Sequence, residues 1–386
     1  MQPSLLSHVA AANDLTGRWC RRLAASGDFV LSGCGVWPLL GILADAANEP
    51  ARSELAAAAG TDAAHSRPAA LALLAELAGA QSISAALGAW VSDEIDLRED
   101  WVRSLPEGTV GRLTGQAALD AWADRHTGGL IERFPITIDE DTLLVLATAI
   151  VAKTAWHTPF DDDVLEPVSG PWAGHRGPGL ARYSEDLADA SVLLAPDPVT
   201  RVAVRGIGDL DVHLLLGDGS PAQTLAAGLG ALDGSIEARP ALAVRTADSD
   251  PAAAPGVSLR HSRAISDDLH IRLPPFEIRS SHSLLDDPDL FGLRTATDPR
   301  SGHFPAMSAT PLRVDQAAQH ARARFTREGF EAAAVTAVGM VLAAAVRRPH
   351  DTVELAVTFD RPFGFLAVHR PTGLVVVAGW VAEPVA

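Results

Sequence analysis

An α+β fold is predicted by two observations on this 386-residue chain: amphipathic helical patterns crowd its first third, and short alternating or apolar runs fill its second half. DLTGRWCRRLAA, GVWPLLGILADAA, ARSELAAAAG and PAALALLAELAGA place apolar residues at three-to-four spacing, with Asp14 and Ser53 suited to starting helices and Gly60 to ending one. ALGAWVSD at 86–93 reads as a strand, and ALDAWADRHTGG at 118–129 as a further helix with a glycine stop. LLVLATAIVAKTAW, which follows Thr142, carries Lys153 as its single charge, the pattern of a strand buried on both faces. RVAVRGI, DVHLLLGD, LHIRLPPFEI, ARARFTRE, TVELAVTF, FGFLAVHR and LVVVAGWV continue as strands between Pro, Gly and Asp punctuation. Segments 163–190 and 248–258, richest in Pro and Gly, are expected to be loops.

The totals exclude several function classes. A net charge of -17 repels nucleic acid and anionic membranes, and Arg347-Arg348 is the nearest approach to a basic patch, so neither partner is expected. Basic residues in the first third are too few for a helical heparin site. Cys20 and Cys34 match neither a zinc site nor a CxxC pair; one bridge is conceivable, and two buried thiols are the expectation. The amino-terminal stretch has no charged residue ahead of a long apolar run, which predicts a cytosolic or already processed protein. The longest uncharged run, Ala332 to Val346, is too short to span a bilayer.

No enzyme constellation emerges. GxSxG is absent, Ser220 in GDGSP reads as a turn residue, and no HExxH or paired Cys/His arrangement offers metal ligands. His213 and His270 sit in strand-like runs and are expected to be structural. GIGDLD at 206–211 lacks the third glycine of a dinucleotide fingerprint, and DDD at 161–163 lacks the ligand spacing of a calcium loop. Neither cofactor nor metal is expected.

One stretch stays open on these grounds. EGFEAAAVTAVGMVLAAAV, from Glu328 to Val346, suits an Ala-rich helix interrupted by Gly339, or an extended strand with Ala332, Ala334, Thr336, Val338 and Met340 on one face.

Four segments in order carry a family resemblance. TLLVLATAIVAKTAWHTPF (142–160), LHIRLPPFEIRSSHSLLD (269–286), the run from Phe291 to Val338, and DRPFGFLAVHRPTGLVVVAGWVAEP (360–384) resemble segments of the serpins, the serine protease inhibitor family. With the helical first third they cover almost the whole chain, and the resemblance is to a bacterial-type member.

The resemblance implies a single domain over 1–386, about nine helices and three β-sheets, and an exposed reactive-centre loop at 328–352. It implies a metastable fold and a protease inhibitor rather than an enzyme: a serine protease would cut the loop, and the loop would insert into the main sheet and trap the acyl-enzyme. The hinge maps to Gly329, Phe330, Glu331, Ala332, Ala333 and Ala334. There the glycine is permissive, the alanines add no bulk, and Phe330 stands where inhibitory relatives carry Thr, Ser or Val. Counting from the hinge puts the scissile bond at Ala343-Ala344, suited to elastase- or subtilisin-like enzymes. Measuring back from the C-terminal segment points to Arg347 and Arg348 and a trypsin-like enzyme. A polar cluster that controls sheet opening maps to Ser32, Gly35, Thr148 and Gln319, with Trp156 at the end of the matching strand. A monomer is expected, and the alternative reading is a non-inhibitory serpin-fold protein that binds, chaperones or is merely cleaved.

Overall fold

The computed structural model describes residues 3–23, 27–248, 250–264, 266–330 and 350–385. Its first third is helical, as α1 (Pro3–Arg22), strand β1 (Phe29–Leu31), α2 (Gly33–Ala46), α3 (Ala51–Ala59) and α4 (Ala63–Ala78). Asp14 does not start a helix. It lies inside α1 and pairs with Arg18 one turn on, because the helix is already running from Pro3. Gly60 ends α3 in the left-handed conformation, φ 62°, as the sequence predicts.

The chain continues through β2 (Ile83–Val91), α5 (Glu99–Arg103), β3 (Val110–Arg112) and α6 (Gln116–Thr127) into β4 (Leu144–Ala152) and β5 (Thr154–Ala155). The expectation that β4 is buried on both faces is not met. Val145 and Ala147 pack beneath Leu119 and Ala123 of α6, whereas Leu144, Leu146, Thr148 and Ile150 are only half-buried. They line an open gap beside the strand.

Strands then dominate: β6 (Asp161–Leu165), β7 (Gly177–Ser184), β8 (Ala190–Leu193), β9 (Val199–Arg205), β10 (Leu210–Gly217), helix α7 (Pro221–Asp233), β11 (Ala238–Pro240) and helix α8 (Ala241–Ala247). They are followed by β12 (Val257–Ala264), β13 (Asp268–Leu273), β14 (Phe276–Ser283), β15 (Ala318–Phe325), β16 (Gly329–Phe330), β17 (His350–Thr358), β18 (Phe363–His369) and β19 (Leu374–Val381). Segment 163–190 is therefore not a loop throughout. Its glycines mislead because Gly179 lies within β7, where a Cβ would come within 2.6 Å of the Leu165 backbone: the residue permits close pairing with β6.

Eight α-helices are present among the described residues, and the strands form four hydrogen-bonded groups. A seven-stranded sheet runs β1-β19-β18-β10-β9-β8-β11, and a five-stranded one β12-β17-β13-β7-β6. The remaining two groups, β14-β15-β16-β5 and β3-β2-β4, flank the gap. Every residue of β18 is buried, and one hydrophobic core runs from Val9 to Val381, so strands from the last tenth of the chain close a core begun by its first helix.

Candidate functional site

The turn after β15 is clamped from two sides. Thr326 N–H donates to the Gly329 carbonyl (2.9 Å), while the Thr326 hydroxyl accepts from the Glu328 and Gly329 amides (3.3 Å each). From across the turn, Trp156 donates through Nε1 to the Thr326 carbonyl (2.9 Å) and through its amide to the Glu328 carbonyl (2.9 Å). Gly329 and Phe330 emerge from this clamp as a two-residue strand. Phe330 pairs with Phe325 on one side and Thr154 on the other, and Gly329 pairs with Ala155.

Phe330 is fully buried. Its ring centroid lies 6.3 Å from that of Phe365, and the neighbouring Phe325 contacts Trp156 (4.7 Å) and Phe276 (5.4 Å). Bulky as it is, Phe330 thus has a ready aromatic pocket. Burying such a side chain contributes roughly 1.5–3 kcal/mol.

Beside β16, β4 and β15 border a cavity of about 660 Å³ and make no ladder with each other among the described residues. Leu144 to Ala152 line one side, Ala318 to Arg322 the other, and Phe330 lies at its head. Each wall is latched to one turn at the start of α2. From β15, Gln319 accepts from the Ser32 amide (2.9 Å) and donates to the Ser32 carbonyl (2.8 Å). From β4, the Thr148 hydroxyl donates to the Gly35 carbonyl. The Ser32 hydroxyl caps α2 through Gly35 N–H (3.2 Å) and donates to Val376 O on β19 (2.7 Å), so the turn is anchored to the core. All four residues of the polar cluster meet here. Trp156 belongs with the turn before β16 instead, eight residues beyond Thr148.

Glu331, Ala332, Ala333, Ala334, Ala343, Ala344, Arg347 and Arg348 lie outside the described residues. Sequence reasoning missed the aromatic pocket, since Phe276, Phe325 and Phe365 come from three different strands. It also missed a basic column: Arg279, Arg322 and Arg324 converge on Glu277 across the β14–β15 pair, at 2.9, 2.9 and 3.7 Å. Burial pushes the Glu277 carboxyl up, but the Arg279 hydrogen bond and the two nearest guanidinium charges outweigh it and hold the group below its usual range. Cross-strand register, invisible in one dimension, creates both features.

Cys20 and Cys34 are free and buried, and burial pushes both thiols up to about 12, well away from a reactive thiolate. Burial first, with the Arg201 charge acting the same way, lowers His213 to about 4. His270 stacks on Tyr183 at 4.1 Å. Among the described residues no cluster of His, Cys, Asp and Glu could hold a metal ion, and no helix is long and apolar enough to cross a membrane.

The model of the family described as Serpin (serine protease inhibitor) matches residues 10–167 and 256–384. The chain is 27% identical over 292 residues to serpin-Z8 of Oryza sativa subsp. japonica, covering 69% of this chain and 65% of that relative. It therefore spans less than two thirds of the relative's length. Among solved structures, human thyroxine-binding globulin superposes with a TM-score of 0.72 at 15% identity, over 99% of this chain and 100% of that one. The cleaved serpin 42Da gives 0.71 at 15% identity, over 99% of each chain. At these identities the structural likeness bears on the fold alone.

Proposed function

This chain belongs to the serpin family, and from that premise we propose that it is a suicide-substrate inhibitor of a serine protease. One observation carries the reading: Gly329 and Phe330 are already paired as the first rungs of a strand at the head of a cavity whose walls, β4 and β15, present strand edges to it. A segment that continued down this cavity would complete both ladders. Each added hydrogen bond would contribute on the order of 1 kcal/mol net.

The chemistry belongs to the attacking enzyme. Its serine adds to the Ala343 carbonyl, the amide to Ala344 breaks, and the freed loop inserts while still esterified to the protease at Ala343. About 14 inserted residues at roughly 3.3 Å each move that ester about 46 Å along the sheet. Ala332, Ala333 and Ala334 bring little bulk, and the absence of charge from Ala332 to Val346 avoids burying an ion. Val341, Leu342 and Ala343 suit an enzyme that takes small apolar side chains, such as an elastase or subtilisin. A bond at Arg347-Arg348 would suit a trypsin-like enzyme instead.

The competing reading, a non-inhibitory protein of the same fold, draws on the size of Phe330. The pocket around that ring supports the inhibitory reading, since it accommodates the side chain. Incubation with elastase, subtilisin and trypsin, followed by a denaturing gel, separates the two readings. Inhibition yields a stable covalent band and a short released C-terminal peptide whose mass identifies the cut. Clean cleavage beside fully active protease would leave the competing reading standing.

A further inference from the structure

The face that β14 and β15 turn away from the core carries polar side chains in rungs set by register. Glu277 lies opposite Arg324, Arg279 opposite Arg322, Ser281 opposite His320 and Ser283 opposite Ala318. Residues two apart on a strand share a face, and the buried Phe276, Ile278, Ala323 and Phe325 take the other one. The first two rungs supply the basic column described above. Arg279 donates through Nε (3.1 Å) and Nη2 (2.9 Å) to Glu277 Oε1, and Arg322 Nη2 stands 2.9 Å from the same oxygen.

Glu277 does not use up these cations. Three guanidinium charges against its single carboxylate leave the column with two positive charges, on a chain whose net charge is -17. Arg322 Nε is buried and makes no hydrogen bond, and Arg279 Nη1 and Arg322 Nη1 meet no acceptor among the described residues. The third rung adds two further donors, the exposed Ser281 and the half-buried His320, neither of which has a hydrogen-bond partner among the described residues. Like charges directly opposite each other on a strand pair repel. Glu277 relieves that repulsion between Arg279 and Arg322 from one side, and the Ser281–His320 rung brings no carboxylate to relieve it from the other.

We propose that Arg279, Arg322, Ser281 and His320 form a binding site for a small tetrahedral dianion of the phosphate class, held between the second and third rungs. Two rungs of one face lie about 7 Å apart, close to the span of a tetrahedral oxyanion with a hydrogen bond of about 2.8 Å on either side. The guanidinium forks of Arg279 and Arg322 take its oxygens from one rung, and Ser281 and His320 donate from the other. Its two negative charges match the surplus on the column. The site takes one anion rather than a chain of them. On one side Glu277 stands as a fixed carboxylate, on the other the next rung offers only Ser283 and Ala318, and the charge on the rest of the molecule repels a polyanion. The bound anion joins β14 to β15 and stabilises the folded chain by mass action.

Equilibrium dialysis of the full-length protein against radiolabelled inorganic phosphate tests this, at about pH 7.5 and about 150 mM chloride, where exposed charges are screened beyond about 8 Å. One phosphate per chain is expected, with a Kd on the order of 1 mM, the strength that two or three charge-assisted hydrogen bonds supply on an exposed face. Arg279→Gln, which loses the charge and the fork, should weaken binding about ten-fold, and Ser281→Ala about three-fold. Arg279→Lys keeps the charge without the fork and should fall between wild type and Arg279→Gln. No saturable binding to wild type below about 10 mM, or equal binding by wild type, Arg279→Gln and Ser281→Ala, would overturn the site. Should Arg279→Gln misfold, Ser281→Ala decides. Dextran sulfate should displace the phosphate no better, per sulfate group, than free sulfate does. Displacement at concentrations about a hundred-fold lower would overturn the single-anion site in favour of a track for polyanions.

Discussion

Replacing Phe330 with Ala empties the aromatic pocket at the head of the cavity. The ring is fully buried against Phe365, beside Phe325, which contacts Trp156 and stacks on Phe276. A Phe→Ala change at such a site costs about 3–5 kcal/mol, the lost transfer free energy plus the cavity left behind. A chain of this length unfolds with an entropy of about 0.8 kcal/mol/K, so that cost lowers the melting temperature by about 4–6 °C. In the proposed inhibitory mechanism Phe330 would also lead insertion, so the same loss would weaken the inserted state, and the variant should be clipped more often and trap less. Thermal unfolding by circular dichroism measures the first effect, and titration of a susceptible protease to its end point the second. A melting temperature within about 1 °C of wild type, with trapping unchanged, would refute the view that the pocket holds the ring.

Two further outcomes follow from the site and the core. Gln319→Ala strips both hydrogen bonds from the Ser32 backbone, which should cost about 1–3 kcal/mol and free β15 from its latch. The uncut variant should lose trapping activity several-fold faster on warm incubation, and an equal half-life would count against a latch. His213 is held neutral in the folded chain at a pKa of about 4, whereas an unfolded histidine takes up a proton near its ordinary value of 6.5. Stability from this group is therefore complete above about pH 6.5 and is lost as pH falls toward 4, by about 3 kcal/mol in all. Urea unfolding at pH 7.5 and 4.5 should show His213→Gln losing about 2–3 kcal/mol less than wild type on acidification.

The α+β class, the order of elements and the family were legible in the sequence because their signals are local. Three-to-four spacing marked α2, α3 and α6, Gly60 and Gly128 ended α3 and α6 in left-handed caps, and the C-terminal apolar runs became the buried strands β18 and β19. Even Ser32, Gly35, Thr148 and Gln319 could be nominated, since the segments that carry them resemble a known pattern. Where local reading failed, tertiary context had overruled it. Asp14 continued a helix, Gly179 of β7 served close pairing with β6, and β4 alternated because Val145 and Ala147 pack under α6 while the residues between them line the cavity.

By itself, then, the sequence determined which segments could become helix or strand and that 332–346 carries no charge to obstruct burial. Only the tertiary structure decided that Phe330 has a pocket, that β4 and β15 face each other across a gap, and that Gln316 meets Thr137 from 179 residues away. The physical reason is range. Backbone conformation responds to neighbours within a turn or a ladder rung, whereas pockets, latches and cavities are made by side chains brought together only when the whole core closes.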